Sequence, residues 1–343
     1  MKLSKVKQRI KKAATAIGAC LIVSNAVAAQ DLMPVKMCAL MITGEGGPEA
    51  QYVGEFVTAA LSWGAKIEYK PYVNDQVIVE ELKAGACDIA TMTSISARKF
   101  NKFTGTIDAP AAIPDYEHLR MVLETLAKPS AAKYMVAGDF EVVGIQPAGA
   151  IYVFTNDRNI QTIADLAGKR MSVLDTLPQM SKLVVELGMT PVSSTLTNVY
   201  QKFNNGAIDI TGGPALVYDL MELHKGLEPN GGILDEPVLQ ATMQIVARRD
   251  RIPEGFGQKS RQFLMDNFDL SLKLIRAAEQ NIPEKLWIKM PEERRDEYNT
   301  RTRQVRLQFR EEGFYDGKML TLLRKIRCKQ RPTLAECTAP DAE

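Results

Sequence analysis

The chain has 343 residues and carries 43 Lys+Arg against 41 Asp+Glu. At about 150 residues per domain, that length supports two domains, each able to bury a core. Its slight positive balance comes from a basic leader (Lys2, Lys5, Lys7, Arg9, Lys11, Lys12). Beyond the leader acidic side chains outnumber basic ones, which excludes the broad cationic surface of a nucleic-acid-binding protein.

In chain order, the basic leader precedes an apolar run, Ala13 to Val23, and the small-residue signal Ala26-Val27-Ala28. Residues 1–29 therefore read as a secretory signal peptide, cleaved near residue 28 or 29. Ile17-Gly18-Ala19-Cys20 loosely imitates a lipoprotein box, but too few apolar residues separate Cys20 from the basic region to form a hydrophobic core. The run also falls short of the ~18 apolar residues that span a bilayer, and no later segment reaches that length without charge or proline.

The mature chain opens with "VKMCALMI", a β-rich run ending in "TGEGGPEAQ", followed by "YVGEFVTAALSWG" at helical spacing. "AKIEYKPY" reads as a strand, "NDQVIVEELKAG" as a helix stopped at Gly85 and "CDIATMTS" as a strand. Strand and helix in alternation, with glycine after each helix, predict an α/β domain with a largely parallel sheet. From residue 150 the pattern restarts. "AIYVFTN" and "KRMSVLD" are strands around a one-turn helix "IADLAG" entered after Thr162, and "LPQMSKLVVELG" is a helix closed by Gly188. "TPVSS" is a short strand, "TLTNVYQKFNNG" a helix stopped at Gly206, and "AIDITGG" a strand.

One phrase occurs in both halves: "KAGACDIATM" at 83–92 and "NNGAIDITGG" at 204–213 share Gly-Ala-x-Asp-Ile at a helix–glycine–strand junction. Such junctions are common in α/β proteins, so a coincidence of five letters is one reading. The other is two lobes of similar build, each directing the C-terminal ends of its strands toward a common cleft, where open α/β sheets bind ligands. The C-terminal third is helical. Arg294, Arg295, Arg301, Arg303, Arg306 and Arg310 form a basic stripe with acidic residues interspersed, which reads as a solvated face, with a docking surface as the alternative.

Four cysteines follow the leader, and in an exported chain disulfides are the default. Cys328 and Cys337 flank the short loop "KQRPTLAE", while Cys38 and Cys87 lie on strands that can be neighbours. The pairing Cys38–Cys87 with Cys328–Cys337 is favoured, and the other two connectivities stay open. The spacings match no zinc pattern and His118 and His224 stand alone, so neither metal nor cofactor is expected. Phosphate-binding loops, G-x-S-x-G elbows and H-E-x-x-H motifs are absent, and no enzymatic activity is expected. "GEGG" at 44–47 offers backbone amides that could cradle an anion or polar ligand, or it is an ordinary turn.

The stretch "DLAGKRMSVLDTLPQMSKLVVELGMTPVSSTLTNVYQKFNNGAIDITGGP" resembles the DctP-like solute-binding proteins of TRAP transporters, with Asp165, Leu166, Gly168, Val173, Leu187, Gly188, Pro191, Val199, Tyr200, Gly206, Asp209 and Pro214 on the family pattern. "ELKAGACDIA" and "IDAPAAIPDYEHLRMV" extend the similarity over roughly residues 35–220. The resemblance implies a two-lobed periplasmic binding protein (type II-like), with two largely parallel sheets, a hinge and a ligand cleft. Lobe I would hold residues 30–149 and about 238–280, lobe II residues 150–237 and about 281–325, and 326–343 would be a tail with the cysteine loop. It also implies membrane transporter subunits, TRAP-like or other, as partners for a captured small molecule.

The departures cluster where that family binds its ligand. The arginine that grips the substrate carboxylate falls on Ser172, a second arginine on Tyr152, and the asparagine before proline on Gly213. Serine cannot replace the paired charge-assisted bonds of a guanidinium, so an organic acid held in the family's way is not expected. Either a neutral or aromatic-lined pocket replaces it, with Glu45 or Asp175 at the rim, or Lys169, Arg170 or Arg98 takes over. The expected ligand-binding set is Glu45, Gly46, Thr93, Ser94, Tyr152, Ser172, Asp175, Thr211 and Gly213. The whole chain also resembles a small group labelled AdeT, described as RND-type efflux components linked to aminoglycoside resistance. A soluble periplasmic accessory of an efflux pump is therefore the alternative function.

Overall fold

The computed structural model describes residues 31–42, 44–160, 164–338 and 343. The segment read as a signal peptide, Cys20 and Thr162 lie outside them. Strand β1 (Met33–Leu40) pairs in parallel with β2 (Ala65–Tyr72) and β3 (Ile89–Thr93), and helices Pro48–Leu61 and Asp75–Ala84 intervene. Asn74 Oδ1 accepts the Gln76 and Val77 N–H groups at the start of the second helix. Gly85, at φ +75°, ends it in the left-handed conformation that costs glycine least.

A two-residue strand β4 (Val136–Ala137) folds onto the long β5 (Phe140–Thr155), after which the opening arrangement recurs. Here β6 (Arg170–Leu174) pairs in parallel with β7 (Thr190–Ser194) and β8 (Ile210–Pro214). The duplicated phrase performs the same task in both halves. Asp88 N–H donates to the Lys36 carbonyl (2.8 Å) while its Oδ2 accepts the Lys36 N–H (2.9 Å). Likewise, Asp209 N–H donates to the Arg170 carbonyl (2.8 Å) and its Oδ2 accepts the Arg170 N–H (2.8 Å). Each aspartate thus supplies a backbone amide of the adjacent parallel strand with the acceptor that the helix–strand junction lacks.

The two parallel sets belong to one continuous sheet. With β9 (Gly232–Leu234), β10 (Leu239–Arg248) and β11 (Trp287–Ile288), the order is β2-β1-β3-β10-β5-β8-β6-β7, β9 lying on β5 and β11 on β9. Instead of two separate sheets, β10 and β5 run antiparallel between the parallel ends and join them. Residues 140–151 of β5 lie along β10, and residues 151–155 along β8. The ladder shifts register opposite Pro147 and Gly149, and Gly149 takes φ +104°. A bulge at this point turns the strand from one half to the other.

Each half has its own core. Cys38, Ile78, Leu82, Leu119 and Phe268 pack over one face of the first parallel set, with Phe56, Trp63 and Phe256 in edge contacts on the other. Phe154, Phe203, Leu223 and Ile233 cover one face of the second set, and Ile160, Val173 and Val184 the other. Burial of large apolar side chains such as these contributes about 1.5–3 kcal/mol each.

The C-terminal helices depart from the sequence reading. Phe309, Tyr315, Met319, Leu320 and Leu323 join the core of Leu119 and Phe268, so residues 281–325 do not all pack with the second half. The helix Gly317–Gln330 also runs through positions read as tail. An apolar stripe shows that a helix face is buried, but not against which core. In the helix Glu292–Glu311 the basic stripe is only partly solvated: Arg295 and Arg301 are exposed, Arg294, Arg303 and Arg310 are half-buried, and Arg306 is 2% exposed and donates to the Pro110 carbonyl (2.7 Å) and to Glu343 (2.5 Å). Arg327 donates to the Ala112 carbonyl (2.6 Å) and to both Glu336 oxygens (2.6 and 2.8 Å). A Cys328–Cys337 disulfide (Cα–Cα 5.6 Å) holds Glu336 within that reach, and a Cys38–Cys87 disulfide (5.8 Å) ties β1 to the start of β3.

Candidate ligand-binding site

Four of the nine expected residues gather on one face of the second parallel set. Alternate side chains of a strand point to opposite faces. Tyr152 and Phe154 of β5 pair with Gly213 and Thr211 of β8, and Ser172 of β6 pairs with Val192 of β7. Tyr152, Phe154 and Val192 all pack with Val199 and Phe203, while the Ser172 and Thr211 hydroxyls meet at 2.9 Å. Gly213 has a steric reason: a Cβ there would lie 3.0 Å from Val217 and 3.1 Å from the Tyr200 hydroxyl. Burial pushes the Tyr200 phenol pKa up, so it stays neutral beside the sheet.

Tyr152 leads to two residues that the sequence reading missed. Its hydroxyl donates to Glu279 Oε1 (2.9 Å), and the Tyr116 hydroxyl donates to the same oxygen (2.5 Å). The Ala150 N–H donates to Tyr116 Oη (2.9 Å), which completes a relay from backbone to phenol to carboxylate. Burial, reinforced by the adjacent Glu279 carboxylate, pushes both phenols well above the usual tyrosine range, and both remain donors. Trp287 meets the Tyr152 ring edge-on, with centroids 5.0 Å apart. Tyr116 starts the helix Tyr116–Ala127 of the first core, Tyr152 belongs to the second sheet set, and Glu279 comes from the helix Phe268–Asn281. The cluster therefore sits where the two halves meet.

Glu279 left one trace in the sequence. Phe268, Leu272 and Ile275 form the inward stripe of its helix, and Glu279 occupies the next position, so a carboxylate replaces an apolar side chain on a buried face. Tyr116 left none beyond its place in "IPDYEHLR".

The remaining expected residues do not join this group. Thr93 Oγ1 donates to Asp75 (2.5 Å) and accepts the Ser96 N–H, and Ser94 donates to Asp108 (3.2 Å), so both side chains serve the first half's own structure. Glu45 and Gly46 are exposed in the loop after β1, and Asp175 is exposed after β6. Among the described residues no group of three or more His, Cys, Asp or Glu is placed to hold a metal ion. A groove of about 420 Å³ lined by Pro129, Arg249, Phe256 and Arg261 includes none of the expected residues.

Each basic side chain that could have replaced the missing arginines has a carboxylate partner. Arg170 grips Asp209 through Nε and Nη2 (2.9 and 2.6 Å), and Lys169 pairs with Asp157 (2.9 Å). Arg98 pairs with Asp108, donates to the Gly105 carbonyl and lies over the Phe314 ring at 4.2 Å. No salt bridge to Glu279 or Asp235 is present among the described residues, and Glu236 pairs with Arg295 (3.0 Å). At the Tyr152 end of the site Glu279 and Asp235 thus have no basic partner among the described residues.

The fold is similar to that of solved periplasmic solute-binding proteins of TRAP transporters. One from Ralstonia eutropha H16, with bound (S)-2-acetolactate, matches at TM-score 0.71 and 14% identity over 86% of this chain and 99% of that one. The periplasmic ectoine-binding protein of a Halomonas elongata TRAP transporter matches at TM-score 0.70 and 15% identity, over 88% and 100%. Residues 54–342 match the family described as Solute-binding protein AdeT 1/2, and the chain belongs to it. The probable solute-binding protein AdeT1 of Acinetobacter baumannii is 37% identical over 298 residues, 87% of this chain and 98% of that one.

Proposed function

We propose that the protein is a periplasmic, non-enzymatic solute-binding protein that captures a small polar ligand between two lobes and presents it to a membrane transporter. The lobes divide at the bulge of β5 near Gly149, with residues 150–237 as the body of the second. The observation that carries this reading is the row Tyr152, Ser172, Thr211 and Gly213, gathered on one sheet face beside the junction of the halves. It coincides with the positions at which the departures from the TRAP family pattern cluster.

For such a protein to signal capture, ligand must bind the closed arrangement more tightly than the open one, since equal affinity shifts no population. Tyr116, Tyr152 and Glu279 come from elements of both halves, so a ligand touching them has a direct route to that difference. The testing experiment compares ligand affinity in the unaltered protein with Tyr152→Ala and Ser172→Ala, each checked for an unchanged fold. Weaker binding in both supports the reading, whereas unchanged affinity in both removes this pocket. No helix among the described residues is long and apolar enough to cross a membrane.

A further inference from the structure

We propose that the site selects a cationic ligand, an organic ammonium group held against Glu279 and flanked by the rings of Tyr116, Tyr152 and Trp287. The inference rests on the solute-binding reading and adds the sign and chemistry of the ligand. The Tyr152 hydroxyl points to a carboxylate, that of Glu279.

Three observations converge. First, both tyrosine hydroxyls donate to Oε1 of Glu279, and among the described residues no hydrogen bond reaches Oε2 and no basic side chain pairs with the carboxylate. Two phenols orient a carboxylate without neutralising it, and a half-buried unpaired charge favours a counter-charge from outside. Second, the three basic residues that the sequence offered as substitutes for the arginines, Arg98, Lys169 and Arg170, are held by Asp108, Asp157 and Asp209. Asp235 adds a second acidic side chain without a basic partner, and its carboxylate accepts the Met290 N–H (2.8 Å). Third, Tyr152 and Trp287 meet at 75° with centroids 5.0 Å apart, a corner of aromatic rings beside the carboxylate. Carboxylate and aromatic rings together form the combination that binds ammonium groups, one by charge and hydrogen bonds and the other by the ring quadrupole. A carboxylate ligand would meet Glu279 with like charge.

The test is calorimetric titration of ligand-stripped protein with spermidine, butane-1,4-diamine and choline as cationic probes, succinate as an anionic probe and glucose as a neutral one. The expected result is binding of at least one cationic probe and no binding of succinate. Glu279→Gln, which keeps the side chain's shape, should weaken that binding roughly 10- to 100-fold. Charge selectivity of the unaltered protein needs no variant, so it reads out even where Glu279→Gln folds poorly. Binding of succinate or glucose in place of the cations, or a cation affinity that Glu279→Gln leaves unchanged, overturns the charge assignment and leaves the solute-binding reading standing. Silence from all five probes overturns the charge assignment, and silence extended to a broad metabolite panel counts against the solute-binding reading as well.

Discussion

The Tyr152 hydroxyl lies 2.9 Å from Glu279 Oε1, which joins a strand of the second sheet set to the helix Phe268–Asn281 that packs on the first core. Tyr152→Phe removes that donor and keeps the ring against Trp287. A hydrogen bond to a charged group contributes ~1.5–3 kcal/mol, and about half of that is expected for a partly solvated pair that retains Tyr116. Urea denaturation at pH 7 should therefore show a loss of about 1 kcal/mol, and an unchanged midpoint would show that the bond contributes nothing to stability.

Asp209 should control part of the acid stability. The Arg170 guanidinium and backbone N–H hold its pKa down at about 2, below the ordinary carboxylate range. A depressed carboxylate pKa contributes stability that is complete above the unfolded-state value near 4 and is lost as pH falls toward about 2. Solvent screening leaves a contribution of about 1 kcal/mol. Asp209→Asn should lower stability at pH 7 by that amount and flatten the decline between pH 4 and 2. An acid limb of unchanged steepness in the variant would contradict the assignment.

Gly213→Ala tests the close approach of Tyr200. The added Cβ would lie 3.0–3.2 Å from Val217 and the Tyr200 ring, and overpacking of this kind costs ~1–3 kcal/mol. Thermal unfolding should report that loss, and displacement of Tyr200 should also lower ligand affinity. Full stability with full affinity would show that the site tolerates a side chain there.

The Cys328–Cys337 disulfide should stabilise a region far from it in sequence. It holds Glu336 on Arg327, which with Arg306 fixes the Pro110 and Ala112 carbonyls, while the Ala111 N–H donates to the Val238 carbonyl (2.7 Å). Closing so short a loop is worth about 2–3 kcal/mol. A Cys328→Ser/Cys337→Ser double variant should lose that much and show faster hydrogen exchange at the Ala111 amide. Unchanged exchange would mean that the two arginines hold the loop without the staple.

Much of this architecture is legible locally. Gly85 and Gly206 stop helices because each must turn left-handed, and the repeated Gly-Ala-x-Asp-Ile marks equivalent junctions because Asp88 and Asp209 make the same pair of bonds. Non-local facts are not written in such patterns. The continuity of the sheet depends on β10 returning between β3 and β5, and the apolar stripe of Gly317–Gln330 fits either core equally well. In the site, Tyr152 and Ser172 were visible as departures from a family pattern, but Glu279 sits more than a hundred residues from both and belongs to a helix with no motif. Its significance arises only from the tyrosine hydroxyls that meet it. The fates of Arg98, Lys169 and Arg170 were equally hidden, since each acidic partner is chosen by the fold.

The most direct measurement of the central claim, capture of a small ligand, is a thermal-shift screen of residues 30–343, folded and stripped of bound ligand, against carboxylates, neutral polar metabolites and organic cations. Ligand at 100 times Kd adds ~2.7 kcal/mol, equivalent to roughly 2–4 °C for a domain of 150–250 residues. The account predicts a shift of that size from one chemical class, reduced in Tyr152→Ala. No shift from any class would contradict it.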